Sequence, residues 1–170
     1  MKKEVICHDN QKNEFLIAVD KFRFRPSVYG LLIKDGQILL SSQHDGYDFP
    51  GGGVNMDEGL SEALQREFWE ETGLKVELGK IIEARSSFYK PSNRTGHIKD
   101  EYWNCQLLYF IVKQIGGELS LDYIDEDEKG YLALATWMDI NKLDSLKFYN
   151  QLGTQGSIAL IKKVTGNIQS

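Results

Sequence analysis

The chain has 170 residues, of which 41% are hydrophobic and 26% are charged, and its formal net charge is −5. This length and composition suit one globular domain with a substantial core, so we treat residues 1–170 as a single domain. The acidic balance argues against general electrostatic attraction to nucleic acid or to anionic membranes.

The cysteine content and the absence of long apolar runs favour a location in the cytoplasm. Cys7 and Cys105 are too few for a disulfide framework, and their spacing fits no zinc motif, so we expect free thiols. No apolar run is long enough to span a bilayer, and no signal peptide is evident. We therefore expect a cytoplasmic protein with no membrane partner.

Apolar and alternating runs predict strands in the N-terminal part of the chain, over residues 14–19, 21–25, 28–33 and 37–41. Pro26, which follows the second of these runs, is expected to interrupt the strand there or to begin an edge strand. Asp35 and Gly36 separate the last two runs and predict a hairpin turn. Arg23 and Arg25 could reach a phosphate or stack on a base, but an ordinary solvent-exposed face is the commoner fate of such charges.

Residues 52–74 contain a glycine-rich loop, an isolated acid and a predicted helix with three clustered carboxylates. Each helical residue turns by about 100°, so Glu67, Glu70 and Glu71 share one face. Like charges this close repel one another, and a bound multivalent cation would explain the crowding. Carboxylate oxygens are hard ligands that suit Mg²⁺, or Mn²⁺ in its place. A solvated acidic helix is the simpler alternative, but it does not explain the glycines or the spacing.

The same pattern predicts how this helix packs. We expect it to begin near Ser61, a good N-cap residue, and to end before Gly73. A ridge of apolar residues at helical spacing should be buried against a sheet, namely Leu60, Leu64 and Phe68. Trp69 falls on the opposite face, covered either by another element or by an interface. Arg66 lies within reach of Glu58 and Glu70, and its planar guanidinium should hold these carboxylates in place.

The C-terminal half is predicted to contain a strand over 75–84, a central strand over 103–112 and a helix over 158–164. Between the first two lies a polar loop, 89–102, which holds the densest positive patch of the chain. Tyr89 and Arg94 are its candidate substrate contacts, together with Arg25 upstream, although a solvated loop explains these charges equally well. Exposed aromatic residues are compatible with a homodimer.

The spacing of the residues in 52–74 resembles the Nudix box. Both follow one pattern: glycine, five residues, glutamate, seven residues, Arg-Glu, an apolar residue, one residue, Glu-Glu, one residue, glycine and an apolar residue. The fixed positions are filled by Gly52, Glu58, Arg66, Glu67, Phe68, Glu70, Glu71, Gly73 and Leu74. The preceding Asp48-Phe49-Pro50-Gly51 is also similar to the strand that enters the box. Seven identities at fixed offsets are far more specific than a short glycine motif.

The resemblance implies an α/β fold, a Nudix-type α/β/α sandwich with a mixed β-sheet. It implies that the carbonyl of Gly51 ligates metal beside Glu67, Glu70 and Glu71, and that Gly52, Glu58 and Gly73 have structural roles in the box. One further glutamate would come from the acidic turn 122–128, with Glu128 as the first candidate ligand or general base and Glu126 as the second. An acid-rich surface turn would account for these charges as well.

Together these features predict a pyrophosphohydrolase that acts on a small nucleotide. Metal held by the box glutamates would neutralise a diphosphate and activate a water, while a carboxylate removes its proton. Arg66, Glu67, Glu70, Glu71 and Glu128 are the candidate catalytic residues. The expected substrate is a nucleoside diphosphate linked to another moiety, for example a nucleotide, a nucleotide sugar or an ADP-ribose-like compound. Two alternatives remain, a catalytically silent nucleotide-binding or regulatory module and a related isomerase or transferase acting on prenyl diphosphates.

Overall fold

The computed structural model describes residues 3–9, 11–43, 46–91, 101–124 and 132–166. Helix α1 spans Leu60–Thr72 and helix α2 spans Gly153–Gly166. Short 3₁₀ helices lie at Val19–Lys21 and Ile140–Ser145. In chain order the strands are β1 (Glu4–His8), β2 (Glu14–Ala18), β3 (Phe22–Leu31), β4 (Ile33–Lys34), β5 (Gln37–Gln43), β6 (Gly46–Asp48), β7 (Gly51–Gly53), β8 (Leu74–Tyr89), β9 (Tyr102–Gly117) and β10 (Leu132–Asp139).

The strands form two sheets. The larger has six strands in the order β2-β1-β8-β9-β3-β7, and the smaller has the order β10-β5-β4 with β6 paired to β5. Strands β3 and β9 run parallel over ten register pairs, and β1 meets β8 in parallel at His8 and Tyr89, while the other ladders are antiparallel. The mixed sheet implied by the family resemblance is therefore confirmed, and the predicted central strand is β9.

The two helices cover opposite faces of the strands. Ala63, Leu64 and Phe68 of α1 pack with Val28 and Phe110. Residues of α2 pack on the other face of the same strands, in a cluster that contains Ile158, Ile161, Leu31, Leu107 and Tyr109. Because neighbouring residues of a strand point to opposite faces, β3 and β9 contribute to both cores. Among the described residues, neither helix is long and apolar enough to cross a membrane.

Pro26 does not break the chain into two strands as expected, because β3 runs through it without interruption. Pro26 lies opposite Gln106 in the parallel ladder, whereas on the other side β7 pairs only with residues 27–29. The proline is therefore at the end of one paired segment, where a missing N–H is tolerated. The predicted Asp35-Gly36 turn is confirmed, with both residues at positive φ (50° and 73°).

Helix α1 differs from its prediction at its first turn. The N-cap is Gly59 and not Ser61, and the Gly59 amide donates to Oε2 of Glu62 at 2.8 Å. Leu60 is 39% exposed, so the expected ridge is buried only at Leu64 and Phe68, with Ala63 beside them. As the first helical residue, Leu60 precedes the turns that pack on the sheet. The predicted end is confirmed, since Gly73 takes the left-handed conformation at φ 73°.

Candidate functional site

Arg66 lies at the centre of the candidate site and binds three carboxylates. Its Nε and Nη2 atoms donate to the two oxygens of Glu58 at 3.0 and 2.6 Å. Its Nη1 donates to Glu67 at 2.9 Å and to Glu70 at 3.0 Å, and its Nη2 also donates to the carbonyl of Gly53 at 3.0 Å. The predicted contacts of Arg66 with Glu58 and Glu70 are therefore confirmed.

The charges in this cluster stabilise one another. Hydrogen bonding to Arg66 lowers the pKa of Glu58, and the Glu58 bond, followed by the charge of Glu67, raises the pKa of Arg66. The planar guanidinium suits this role because it presents five donors in a fixed fork. As a result, Glu58 holds the arginine from the loop side, and the arginine holds Glu67 and Glu70 from the helix.

Glu71 faces a different part of the site from Glu67 and Glu70. It is only 6% exposed, and its Oε2 accepts hydrogen bonds from Ser41 Oγ at 2.7 Å and from the Gly51 amide at 3.2 Å. A buried carboxylate is stable only when it is hydrogen-bonded or paired. Glu71 thus ties α1 to strand β5 and to the first residue of the glycine loop.

At two positions of the glycine loop, any residue with a side chain would clash with its neighbours. A Cβ on Gly52 would lie 2.6 Å from the carboxylate of Glu67, so the glycine makes room for that acid. Gly51 has φ 143°, and a Cβ there would collide with the backbone of Val28. The loop can therefore approach both β3 and α1 only because these positions lack side chains.

Arg25 and Tyr89, two of the predicted substrate residues, are joined by Trp103. The Arg25 guanidinium lies 4.3 Å from the Trp103 ring centroid, and the Tyr89 and Trp103 centroids are 5.9 Å apart. A Cβ on Gly53 would lie 2.7 Å from Arg25, so this arginine rests against the glycine loop. A stack of charged and aromatic side chains thus leads from the loop to the end of β8. Arg94 and Glu128 lie outside the described residues.

A cavity of about 260 Å³ opens beside Tyr89. Its aromatic lining comes from Tyr89, Phe148 and Tyr149, and its polar lining includes Ser87, Asn150 and Gln151. The N-terminal strand adds His8, followed by Asp9 and Lys12. The Oε1 atom of Gln151 is buried without a hydrogen-bond partner among the described residues. The cavity combines flat apolar surface with several groups that can form hydrogen bonds.

The carboxylates of the box have the right chemistry for a hard divalent cation. Glu67 and Glu70 converge on one nitrogen atom of Arg66, and a carboxylate has about four lone-pair sites, so a bond from arginine does not exhaust its capacity. Within the described ranges, no three acidic, histidine or cysteine side chains are close enough to form a ligand cluster. Glu71 accepts hydrogen bonds from Ser41 and Gly51. The carboxylate oxygens of Glu67 and Glu70 are of the kind that Mg²⁺ and Mn²⁺ prefer.

Several residues of this site were not predicted. Ser41, Gly53 and Trp103 contact predicted residues, Asn150 lines the cavity, and Asp48 accepts a hydrogen bond from Asn150. Trp103 and Gly53 lie in segments that the sequence did assign, to the strand β9 and to the glycine loop. Ser41 and Asn150 carry no local signal, because their partners are 30 and 102 residues away along the chain. Trp69, which had two alternative explanations, is covered by Tyr123, with ring centroids 4.1 Å apart.

The chain belongs to the NUDIX domain family, whose family model matches residues 23–156. An RNA pyrophosphohydrolase from Xanthomonas oryzae pv. oryzae is 34% identical over 120 residues, and the match covers 65% of this chain and 58% of that protein. A protein of the same description from Stenotrophomonas maltophilia is 33% identical with the same coverage. The chain thus matches less than two thirds of the length of these relatives.

Solved structures show the same fold at low sequence identity. An ADP-ribose pyrophosphatase from Streptococcus suis has a TM-score of 0.57 and 15% identity, and the match covers 83% of this chain and 91% of that one. A MutT protein from Methanosarcina mazei has a TM-score of 0.54 and 20% identity, with coverage of 88% and 99%. At these identities the likeness concerns the fold alone.

Proposed function

We propose that this protein hydrolyses the pyrophosphate linkage of a nucleoside diphosphate joined to another group, with Mg²⁺ as cofactor and Mn²⁺ as a substitute. The observation that carries the proposal is the convergence of Glu67 and Glu70 on one nitrogen of Arg66, beside the glycine loop. The relatives described as RNA pyrophosphohydrolases support the reaction class.

The box residues have distinct roles in this proposal. Glu67 and Glu70 would hold the cation, with Glu71 and the carbonyl of Gly51 as the further ligands that the family resemblance implies. A bound divalent cation offsets phosphate charge and lowers the pKa of water. Arg66 and Glu58 keep Glu67 and Glu70 oriented, because the guanidinium fixes both side chains at once.

Arg25 would contact the phosphates. Its guanidinium rests against Gly53 and stacks on Trp103, so it offers donors next to the glycine loop. Guanidinium groups bind phosphate oxygens in a two-point geometry. Arg25 would therefore fix the orientation of the pyrophosphate without taking part in proton transfer. Arg94 remains a second candidate for this contact.

The cavity beside Tyr89 would receive the nucleoside end of the substrate. Its aromatic lining suits a flat base, and Ser87 and Gln151 can form hydrogen bonds with the polar edge of such a base. The stack from Tyr89 through Trp103 to Arg25 connects this cavity to the glycine loop. One substrate could thus extend from the cavity to the carboxylates of α1.

The attacking water needs a group that accepts its proton. Glu128 is the candidate base, on the strength of the family resemblance and of its place in an acidic turn. Replacing Glu128 by glutamine, and Glu126 by glutamine for comparison, distinguishes the two candidate glutamates of this segment. We expect the Glu128→Gln enzyme to lose more turnover, and equal losses would leave neither residue as the sole base.

A substrate panel tests the proposed reaction. The panel contains nucleoside triphosphates, ADP-ribose, a dinucleoside polyphosphate, a nucleotide sugar and RNA with a 5′-triphosphate or a cap. Each compound is incubated in ¹⁸O-labelled water with Mg²⁺, and the products are identified by mass spectrometry. We expect two phosphate-bearing products, or a nucleotide and inorganic phosphate species, with one ¹⁸O atom at the cleaved bond. No cleavage of any member would contradict the proposal.

A catalytically silent nucleotide-binding module is the second candidate function. It is favoured by the way Arg66 already supplies positive charge to Glu67 and Glu70 in this structure. Calorimetry with the same panel separates the two, because a silent module would bind a nucleotide tightly and leave it intact. Binding followed by Mg²⁺-dependent cleavage would exclude the silent module.

A further inference from the structure

The segment that forms one wall of the cavity is paired directly to strand β6. The Tyr47 amide donates to the carbonyl of Lys147 at 2.9 Å, and the Tyr149 amide donates to the carbonyl of Tyr47 at 3.0 Å. Tyr47 and Phe148 form an isolated parallel bridge. Residues 147–153 are thus connected, through β6 and the two residues after it, to the glycine loop.

A side-chain pair reinforces this connection. The Asp48 carboxylate accepts hydrogen bonds from Asn150 Nδ2 at 2.9 Å and from the Phe49 amide at 2.7 Å. The Oδ1 atom of Asn150 accepts from the amides of Leu152 and Gly153 and from Ser157 Oγ, at 3.0 to 3.1 Å. Asn150 therefore closes the turn that begins α2 and at the same time donates to Asp48.

Asp48 is also connected to helix α1 through strand β5. It pairs with Ser41 in the β5–β6 ladder, and Ser41 Oγ donates to Glu71. Three residues after Asp48, the amide of Gly51 donates to the same oxygen of Glu71. The Asp48–Asn150 bond thus joins the cavity wall to the strand that positions the glycine loop and α1.

From this geometry we infer that Asp48 and Asn150 are positioning residues, whose bond holds the 147–153 wall of the cavity at the distance from the glycine loop that a bound nucleotide requires. The inference rests on the proposed function, in which the cavity takes the nucleoside end. Neither residue takes part in the chemical step. Losing the bond should therefore raise KM and leave kcat nearly unchanged, because Arg66 holds Glu67 and Glu70 through contacts that do not involve Asp48 or Asn150.

A charge swap isolates this bond. Asn150→Asp keeps the oxygen that accepts from Leu152, Gly153 and Ser157 but removes the donor to Asp48. The double variant Asp48→Asn, Asn150→Asp restores a donor and an acceptor with the roles exchanged. Burial raises the pKa of Asp48 to about 7, and a second carboxylate facing it raises that pKa further, so the two acids of Asn150→Asp can share a proton and form a bond. KM and Kd are therefore measured from about pH 7 to about pH 9.5, and the values compared are those at the highest pH, where repulsion between the two carboxylates is greatest.

The matched control is Asn141→Asp. Asn141 Nδ2 donates to Asp139 at 3.0 Å, so this substitution removes the same kind of bond on an exposed surface away from the cavity. Thermal melts of all variants establish that each is folded. KM and kcat are measured on the best substrate of the panel, and binding of the four common 5′-mononucleotides is measured by calorimetry.

We expect Asn150→Asp to raise KM and the mononucleotide Kd about 10-fold, equivalent to one lost hydrogen bond, with kcat within about 3-fold of the parent. The swapped pair should return both to within about 3-fold of the parent, and Asn141→Asp should leave both unchanged. A folded Asn150→Asp protein with unchanged KM and Kd, or a folded swap that restores neither, would overturn the inference. If the parent cleaves nothing but its mononucleotide Kd follows the predicted order, the proposed function fails and the positioning role stands.

Discussion

The carboxylate of Glu71 accepts a hydrogen bond from the amide of Gly51, 20 residues earlier in the chain, at 3.2 Å. Ser41 Oγ donates to the same oxygen from strand β5 at 2.7 Å. One buried acid therefore joins helix α1, the glycine loop and a strand of the smaller sheet. This gives Glu71 a structural function that the spacing of the acids alone does not reveal.

Replacing Glu71 by alanine should destabilise the protein. The change leaves the Ser41 hydroxyl and the Gly51 amide without this acceptor, which costs about 1–3 kcal/mol for buried polar groups. Urea unfolding monitored by tryptophan fluorescence measures the loss. Glu77→Ala is the control, because Glu77 is exposed on β8, and it should change the free energy of unfolding by less than about 0.5 kcal/mol. Equal stability of the two variants would show that the Glu71 contacts contribute nothing.

Arg66→Lys tests whether the planar guanidinium is needed. A lysine ammonium keeps the charge, but it cannot bond both oxygens of Glu58 while it also reaches Glu67, Glu70 and the Gly53 carbonyl. We expect a loss of about 1–3 kcal/mol in the free energy of unfolding, with a fall in kcat because Glu67 and Glu70 lose their orientation. A lysine variant with parental kcat and stability would show that charge alone suffices. Unfolding and steady-state kinetics on one preparation provide both values.

The fold was predictable from the sequence where a local signal exists. The Asp35-Gly36 turn, the Gly73 helix end and the central strand β9 follow from turn chemistry and apolar runs, and the structure confirms each. The first turn of α1 was predicted wrongly, because Gly59 serves as N-cap by backbone geometry and through Glu62, which a ranking of side-chain caps does not capture. Strand β1 went unpredicted, since its short mixed segment is defined by pairing with β2.

The contacts of the candidate site were likewise predictable only where a local sequence signal exists. The contact of Arg66 with Glu70 was predictable because helical spacing places the two residues one turn apart, and Glu58 lies only two residues before the helix begins. The Glu71–Ser41 and Asp48–Asn150 bonds were not, because they depend on which strands become neighbours. Trp103 was assigned to a strand, but its position between Arg25 and Tyr89 follows only from the β8–β9–β3 register. The sequence thus indicates the chemistry of the site, and the topology determines its shape.

Gly52→Ala should reduce turnover through a purely steric effect. The new methyl group would lie 2.6 Å from the carboxylate of Glu67 and would displace it. A misplacement of about 1 Å near the reacting atoms costs about 100-fold in rate, so we expect kcat to fall about 10- to 100-fold. Gly116→Ala is the control, since the nearest atom to a Cβ there is 4.0 Å away. If both variants keep the parental kcat, Glu67 has no fixed position in the reaction.

Asp48 should make the folded protein less stable as pH rises, which is opposite to the effect of a carboxylate whose pKa is lowered by folding. Burial raises the pKa of Asp48 to about 7 from an ordinary value of 3.8, so the folded state binds more protons than the unfolded state between these values. The contribution of this group is therefore fully present below about pH 4 and is lost as pH rises to about 7, by an amount on the order of 4 kcal/mol.

Asp48→Asn isolates that contribution, because asparagine keeps an acceptor for the Phe49 amide and cannot ionise. Urea unfolding of both proteins is measured from pH 4 to pH 8.5. We expect the variant to gain stability relative to the parent as pH rises and to level off above about pH 7. A difference that does not change with pH would show that the Asp48 carboxyl has an ordinary pKa in the folded protein.

The most direct test of the central claim measures cation binding and turnover on the same samples. Mn²⁺ binding is followed by electron paramagnetic resonance for the parent and for Glu67→Gln, Glu70→Gln, in which each glutamine still offers an oxygen to Arg66. We expect Mn²⁺ affinity to fall at least about 10-fold and turnover to fall about 1,000-fold or more, with the thermal midpoint nearly unchanged. A double variant that binds Mn²⁺ and cleaves its substrate as the parent does would contradict the assignment of these two acids.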